Sequence, residues 1–207
     1  RDDVESRGLG DVYKRQGVSE LSRRLNSVLM KVTGPNGHAM YNCLGSHDTA
    51  RFLTEAKGEA WRLRLAMALQ MLFPGAPAIY YGDELGMTNI RFTRIEEYDD
   101  IDTRNHYRKL LREGGDTEQF LREQQEIGRD NARTPYQWDG TLYAGFSTAK
   151  PWLRVNPNHT EVNAARELCD PDSVLNFFRR VVTLRKEHPD PVSYTHLRAH
   201  ETRRHLV

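Results

Sequence analysis

Residues 39–87 read AMYNCLGSHDTARFLTEAKGEAWRLRLAMALQMLFPGAPAIYYGDELGM, and the alternation of apolar runs and breakers in them decides the fold class. AMYNCLG (39–45) is a short apolar run between GPNGH and SHD, the pattern of a buried strand. EAWRLRLAMALQMLFPG (59–75) is a strongly apolar helix that stops at Pro74-Gly75, where the ring and the missing N–H prevent continuation. APAIYYGDELGM then predicts a second buried strand over 78–81, closed by Gly82. Two buried strands joined through a helix form a parallel pair, because parallel strands need a crossover connection. The class implied is α/β with a parallel sheet.

Working outward, VSELSRRLNSVLMKVTG (18–34) places Val18, Leu21, Leu25, Val28 and Leu29 at helical spacing, with Gly34 as a stop. Beyond Met87 the chain changes character. Residues 88–158 are charged, with one predicted helix over 104–128 broken at Gly114-Gly115, and then irregular around Pro135, Pro151 and Pro157. An excursion this long that keeps its aromatics reads as an active-site loop rather than a linker. DPDSVLNFFRRVVTLRKEHPD (170–190) closes with a helix capped by Asp170 or Asp172, with Val174, Phe177, Phe178, Val181 and Leu184 on one apolar face.

The two ends read differently. VSYTHLRAHETRRHLV (192–207) carries His196 and His200 at i, i+4, as on a metal-binding helix face, and three arginines that would make a weak nucleic-acid patch. A third account covers both ends together. Codons can be chosen for RDDVESRGLGDVYKRQ (1–16) whose reverse complement, read in a shifted frame, translates as residues 192–207. Such an inverted repeat resembles the adapter ends of transposase-based sequencing libraries, and vector-like scars are excluded from fold reasoning. Residues 1–16 and 191–207 are therefore expected to be translated adapter, leaving 17–190 as a piece of a longer reading frame. Within that piece the charge balance moves from +1 to about −1, which calls for no polyanionic partner. Cys43 and Cys169 lie far apart without CxxC spacing, so reduced thiols and a cytoplasmic location are expected. No run approaches the ~18 apolar residues of a membrane span.

Chemistry concentrates in GSHDTARF (45–52), directly after the first strand. In parallel α/β folds the C-terminal ends of strands face the ligand. A carboxylate beside an imidazole there can bind sugar hydroxyls and stabilise developing positive charge. The alternative is structural: Asp48 as a helix cap and His47 as a satisfied core residue.

GSHD, GAPAIYYGDELGM and RDNARTPYQWD together resemble the α-amylase superfamily, glycoside hydrolase family 13, across nearly all of 17–190. GMTNIRFTRIEEYDDIDTRNHY, RDNARTPYQWD and PWLRVNPNHTEVNA look like its oligo-1,6-glucosidase branch. The resemblance implies an incomplete (β/α)8 TIM barrel, entered at helix 6 and running from about strand 7 to helix 8. It also implies retaining hydrolysis of α-1,6 or α-1,4 glucosidic bonds in short oligosaccharides, through a nucleophile and an acid/base carboxylate. Both of those carboxylates would precede residue 17 and are absent here. By resemblance, Asp48 is the third, transition-state-stabilising carboxylate, His47 binds the same sugar, and Arg133 recognises the terminal glucose. The other account of Arg133 is an ion pair with Asp130 or Asp139 that pins the loop. Two duties are open to Trp138 and Trp152, sugar-stacking platforms or anchors of the long loop, and the anchor is the expectation; Tyr80, Tyr81, Asp83 and Glu84 are expected to shape a pocket wall. The partner implied is an oligosaccharide, with no cofactor, metal, nucleic acid or membrane, and the oligomeric state stays open.

The chain departs from the branch at Thr49-Ala50, where a Gln-Pro pair usually follows His-Asp. Its first half looks more like neopullulanases and cyclomaltodextrinases, so a natural intermediate enzyme and a join of two genes near residues 80–89 both stay open. Trehalose-phosphate hydrolases and sucrose isomerases share the long loop. The barrel of non-enzymatic amino-acid-transporter heavy chains is similar too, but retained His47, Asp48 and Arg133 favour an enzyme. With most of a barrel missing, the chain alone is expected to be inactive and poorly soluble or molten, because its outer strand edges are unpaired. Thermal or denaturant unfolding checks this: a broad, probe-dependent transition is expected, and a sharp two-state one would contradict it.

Overall fold

The computed structural model describes residues 18–31 and 41–188. Both ends, with His196 and His200, lie outside the described residues, and so does the expectation that they are translated adapter. The first helix, α1 (Val18–Lys31), forms where the helical spacing predicts it. Strand β1 (Tyr41–Cys43) pairs in parallel with β2 (Ala76–Ala78), in the register Tyr41↔Ala76, Asn42↔Pro77 and Cys43↔Ala78. Between them run a single turn, α2 (Phe52–Glu55), and the crossover helix α3 (Ala60–Leu72). The expected α/β crossover is present, but the second strand sits earlier than 78–81. From Tyr80 the chain already turns, with the Asp83 amide donating to the Tyr80 carbonyl at 3.1 Å.

Helix α3 buries Leu63, Ala66, Met67, Gln70 and Met71, one stripe along its length, and packs on α7 (Val174–Glu187). Leu63, Ala66 and Met67 form a core cluster with Phe52, Ala56 and Val174. Gln70 ties the helix to the sheet by donating to the carbonyls of Asn42 at 3.0 Å and Ala78 at 2.8 Å. Phe73, preceding Pro74, is extended as its ring neighbour requires. Arg185 of α7 reaches the carbonyl end of α3, donating to Met71, to Phe73 at 3.3 Å and to Gly75 at 2.6 Å. A cation there satisfies orphan carbonyls and opposes the helix dipole. The cap of α7 is Ser173 rather than Asp170 or Asp172: its hydroxyl accepts from the Asn176 amide at 3.1 Å. Asp170 is instead spent on the Asp172 amide at 2.9 Å.

The charged excursion is an ordered lobe. Helices α4 (Ile101–Glu113) and α5 (Thr117–Ile127) are capped by Asp100 and Asp116, and the break falls at Gly114, whose φ of 69° suits a residue without Cβ. Ile90, Phe92, Tyr98 and Leu153 give the lobe its own small core. A short helix α6 (Ala164–Cys169) leads back to α7. Cys43 and Cys169 are free thiols. Among the described residues no helix is long and apolar enough to cross a membrane.

Arg51 joins the lobe to the sheet. Its side chain is fully buried, yet it donates to the Tyr81 carbonyl at 2.5 Å and the Ala132 carbonyl at 2.8 Å. Its guanidinium carbon lies 4.9 Å from the Tyr81 ring centroid and 5.4 Å from that of Tyr80. The Arg51 amide donates to the buried Asn89 carboxamide at 2.9 Å, and Asn89 in turn donates to the carbonyls of Gln125 and Glu126 at the end of α5. Gly82, at φ 88°, lets the backbone pass over this guanidinium: a Cβ there would press on Met87 and approach Arg51 to 3.0 Å.

Asp83 sits against the same cation at 3.9 Å, too far for a hydrogen bond. Burial pushes its carboxyl up to about 7, with Arg51 pulling the other way and Glu84 adding to the rise. Two outcomes follow. Arg51→Met leaves the Tyr81 and Ala132 carbonyls unpaired and is expected to cost about 3 kcal/mol. Hydrogen exchange reads this as roughly a hundredfold faster exchange of the amides around Ala132. Between about pH 4 and 7 the folded Asp83 holds a proton that the unfolded chain has released, so its contribution is full at the acid end and lost as pH rises towards 7. In the complete enzyme, Asp83→Asn should flatten part of that slope in denaturation midpoints measured at pH 5 and 7. Glu167, pushed up to about 7 by burial and then by Glu84 and Asp170, and Glu55, raised by burial, contribute in the same direction.

Candidate active site

The turn at 45–49 carries the first two site residues. It is built by its own side chains: the Ser46 amide donates to the Thr49 hydroxyl at 2.9 Å, and the Asp48 amide to the Ser46 hydroxyl at 3.2 Å. Gly45 is required by the approach of Asp83, whose Oδ2 would lie 2.8 Å from a Cβ at that position. The turn presents His47 and Asp48 to solvent, their side chains 68% and 54% exposed and 3.1 Å apart between Nε2 and Oδ2. The structural alternative for this pair is not realised: Arg51 holds the N-cap position of α2 without a side-chain cap bond, and His47 is not in the core.

Arg133 reaches this turn from the far lobe. Its Nε donates to the His47 carbonyl at 3.1 Å and its Nη2 to Asp48 Oδ1 at 3.3 Å, across a sequence separation of 85 or more. Its Nη1 donates to Asp100 Oδ1 at 3.1 Å and lies 3.5 Å from Asp130 Oδ1. The ion pair expected with Asp130 is present, and the same side chain also touches the His-Asp turn. Asp139 plays no part, because its carboxylate is held by Thr141.

Sequence reading missed the shell around this arginine. Asp130, itself buried, accepts from the amides of Asp99 at 2.6 Å and Asp100 at 2.8 Å, which fixes the start of α4. Burial alone would raise the Asp100 carboxyl, but the Thr103 amide and hydroxyl, together with Arg129 and Arg133, leave it below the ordinary carboxylate range. Arg129 bonds Asp102 and lies 3.5 Å from Asp100 and 3.8 Å from Asp48. The only trace of this in the sequence is the crowding of charges in DDID (99–102) and RDNAR (129–133).

Arg133 also lines a cleft of about 520 Å3 whose other walls include Tyr81, Glu84, Tyr136, Trp138, Phe146 and Trp152. Tyr81 and Glu84 therefore take the wall position expected of them, and the Tyr81 hydroxyl donates to the Thr134 carbonyl at 3.0 Å. Tyr80 donates to the Ala132 carbonyl at 3.3 Å, and burial, then Tyr81, pushes its phenol up to about 12. Asp83 faces Gly45 and Arg51 rather than this cleft. Trp138 and Trp152 do not anchor the loop by burial. Their side chains stay open to the cleft, and the anchoring falls to buried Gln137 and Asn163. Among the described residues no group of three or more His, Cys, Asp or Glu is arranged to hold a metal ion.

The family profile described as "Alpha amylase, catalytic domain" matches residues 12–194. The oligo-1,6-glucosidase of Parageobacillus thermoglucosidasius is 36% identical over 176 residues, 83% of this chain and 31% of that protein. The probable oligo-1,6-glucosidase 2 of Bacillus subtilis (strain 168) is 40% identical over 173 residues, 80% of this chain and 31% of that one. Among solved structures, isomaltulose synthase from Klebsiella sp. LX3 superposes with a TM-score of 0.75 at 33% identity, covering 86% of this chain and 33% of that one. The chain thus spans about a third of the length of the relatives it matches. With the α/β crossover, the His-Asp turn at a strand end and this match along most of its length, the chain belongs to the alpha-amylase family and carries part of the catalytic domain.

Proposed function

We propose that residues 17–190 are the part of a retaining α-glucosidase that runs from about strand 7 to helix 8 of its (β/α)8 barrel. The enzyme hydrolyses α-1,6, or α-1,4, glucosidic bonds in short oligosaccharides. Residues 1–16 and 191–207 are read as translated adapter on either side. The observation that carries this reading is the convergence of two distant segments, with Arg133 touching both the carbonyl of His47 and the carboxylate of its neighbour Asp48. The names of the relatives at 36% and 40% identity support the substrate class.

The chemistry follows from the geometry. In a retaining glycosidase the sugar ring passes through an oxocarbenium-like state, flattened and positively charged near the anomeric carbon. Asp48, open to solvent on one side, accepts the hydroxyls of that ring and favours its charged form. Asp48 Oδ1 is shared with Arg133 and Oδ2 lies 3.1 Å from His47 Nε2, so carboxylate and imidazole present themselves to the ligand as one exposed pair. Arg133 is itself oriented by Asp100 and Asp130, so its fork is fixed before the sugar arrives. The nucleophile and the acid/base come from the barrel strands before residue 17.

A join of two related genes near residues 80–89 is the second account of the sequence. Sequencing of the source DNA through those codons and upstream separates the two. In the complete enzyme, Asp48→Asn is expected to lower kcat on isomaltose roughly a hundredfold or more with the fold retained. Arg133→Lys is expected to raise KM more than it lowers kcat. Steady-state kinetics on isomaltose and maltose measures both, and an Asp48→Asn enzyme with half its activity would overturn the assignment.

A further inference from the structure

Asp48 is held by two arginines rather than one. Arg133 Nη2 donates to Asp48 Oδ1 at 3.3 Å. A second guanidinium, that of Arg129, brings Nη1 to 3.8 Å from the same oxygen. The two arginines also share a second carboxylate. Asp100 Oδ1 accepts from Arg133 Nη1 at 3.1 Å and lies 3.5 Å from Arg129 Nε. The four side chains therefore close a ring, in which one oxygen of each aspartate lies between the same two cations.

The ring joins two separate pieces of backbone. Asp48 belongs to the turn after β1, while Asp100, Arg129 and Arg133 belong to the lobe. On the lobe side the groups are already committed. Asp100 is buried, and its other oxygen accepts from the Thr103 amide at 3.0 Å and the Thr103 hydroxyl at 2.9 Å, at the start of α4. Arg129 has its own anchor on that helix, Asp102, to which Nη2 donates. The bond to Asp102, and the charges of Asp100 and Asp48, hold the Arg129 guanidinium above its ordinary pKa.

An isolated surface ion pair contributes little, because two long side chains must be ordered to make it. Here Asp102 and Asp100 have already ordered Arg129, and only Asp48 remains to complete the ring. A carboxylate held by one contact can still turn about its terminal torsion, which is broad and roughly two-fold. Two cations at Oδ1, with His47 Nε2 3.1 Å from Oδ2, give each oxygen a fixed direction. A group that acts on the distorted, charged sugar ring depends on that direction, and its misplacement costs rate rather than ground-state affinity.

We propose that Arg129 is a positioning residue for Asp48: it closes the ring with Asp100 and fixes the direction from which the carboxylate meets the sugar. The inference rests on the α-glucosidase reading of Asp48 and adds a second arginine that acts through this carboxylate rather than on the sugar. The test is a double-mutant cycle in the complete enzyme, with Arg129→Gln, Asp48→Asn and both together, read as kcat and KM on p-nitrophenyl α-glucoside. Arg129→Gln should lower kcat roughly tenfold and move KM by less than about twofold. In the Asp48→Asn background the same substitution should lower kcat by less than about twofold, because the group it positions is gone. Equal losses in both backgrounds would make Arg129 a structural residue and overturn the inference, as would a raised KM with kcat retained. Arg129→Lys keeps the charge, but one ammonium cannot address Asp48, Asp100 and Asp102 together, so kcat should still fall roughly fivefold. Unchanged kcat in the lysine variant also overturns the inference. If circular dichroism shows that Arg129→Gln does not fold, the cycle is read with Arg129→Lys. An Asp48→Asn enzyme with half its activity removes the Asp48 assignment and this inference with it. A crippled Asp48→Asn enzyme that loses the same tenfold again with Arg129→Gln overturns the role of Arg129 alone.

Discussion

The fully buried guanidinium of Arg51 is the constraint on which the remaining structure depends. It lies where three parts of the chain meet: the turn after β1, the end of β2 and the start of the loop that carries Arg133. Its two bonded nitrogens satisfy the carbonyls of Tyr81 and Ala132, and the tyrosine rings cover its face. Its Nε has no acceptor among the described residues. A buried cation is costly to desolvate, so this position is maintained only because several acceptors converge on it at once. The convergence has a direct geometric effect. By holding the Ala132 carbonyl, Arg51 sets the backbone next to Arg133, and by its own amide it holds Asn89 and, through it, the end of α5.

The candidate site is therefore assembled from two rigid pieces rather than from one loop. One piece is the His-Asp turn, shaped by Ser46, Thr49 and the close approach of Asp83. The other is the excursion, whose helices start at aspartate caps and whose small core of Ile90, Phe92, Tyr98 and Leu153 gives it stiffness. Asp130 serves both ends of the second piece: one oxygen takes the amides that begin α4, the other lies near Arg133. A carboxylate so committed cannot swing away, so Arg133 is held against the turn. Stability and chemistry here rest on the same few polar groups, and this explains why so much charge is buried in a lobe that looks like a solvated loop when read linearly.

Much of the fold was legible in the sequence because local physics dominates where it was read correctly. Helix α3 ends where Pro74 ends it, the break at Gly114 is a left-handed cap, and the parallel crossover follows from two apolar runs separated by a helix. The errors share a cause. The strand predicted at 78–81 sits at Ala76–Ala78 because pairing with β1, and not apolarity, determines which residues are strand. The helix cap moved from the aspartates to Ser173 because Asp170 found a nearer amide. The sequence points to Trp138 and Trp152 as anchors of the excursion, whereas buried Gln137 and Asn163 hold it through hydrogen bonds.

The sequence by itself determined the α/β class, the stop of α3 at Pro74 and the break at Gly114, since each is written in a run of a few residues whose propensities agree. Only the tertiary structure decided that Arg51 is buried, that Asp100, Asp130 and Arg129 surround Arg133, and that the aromatic rings of the excursion open onto one cleft. Those outcomes depend on which groups meet across separations of 30 to 85 residues. A side chain's burial and charge state are set by those partners, and a linear reading carries no record of them.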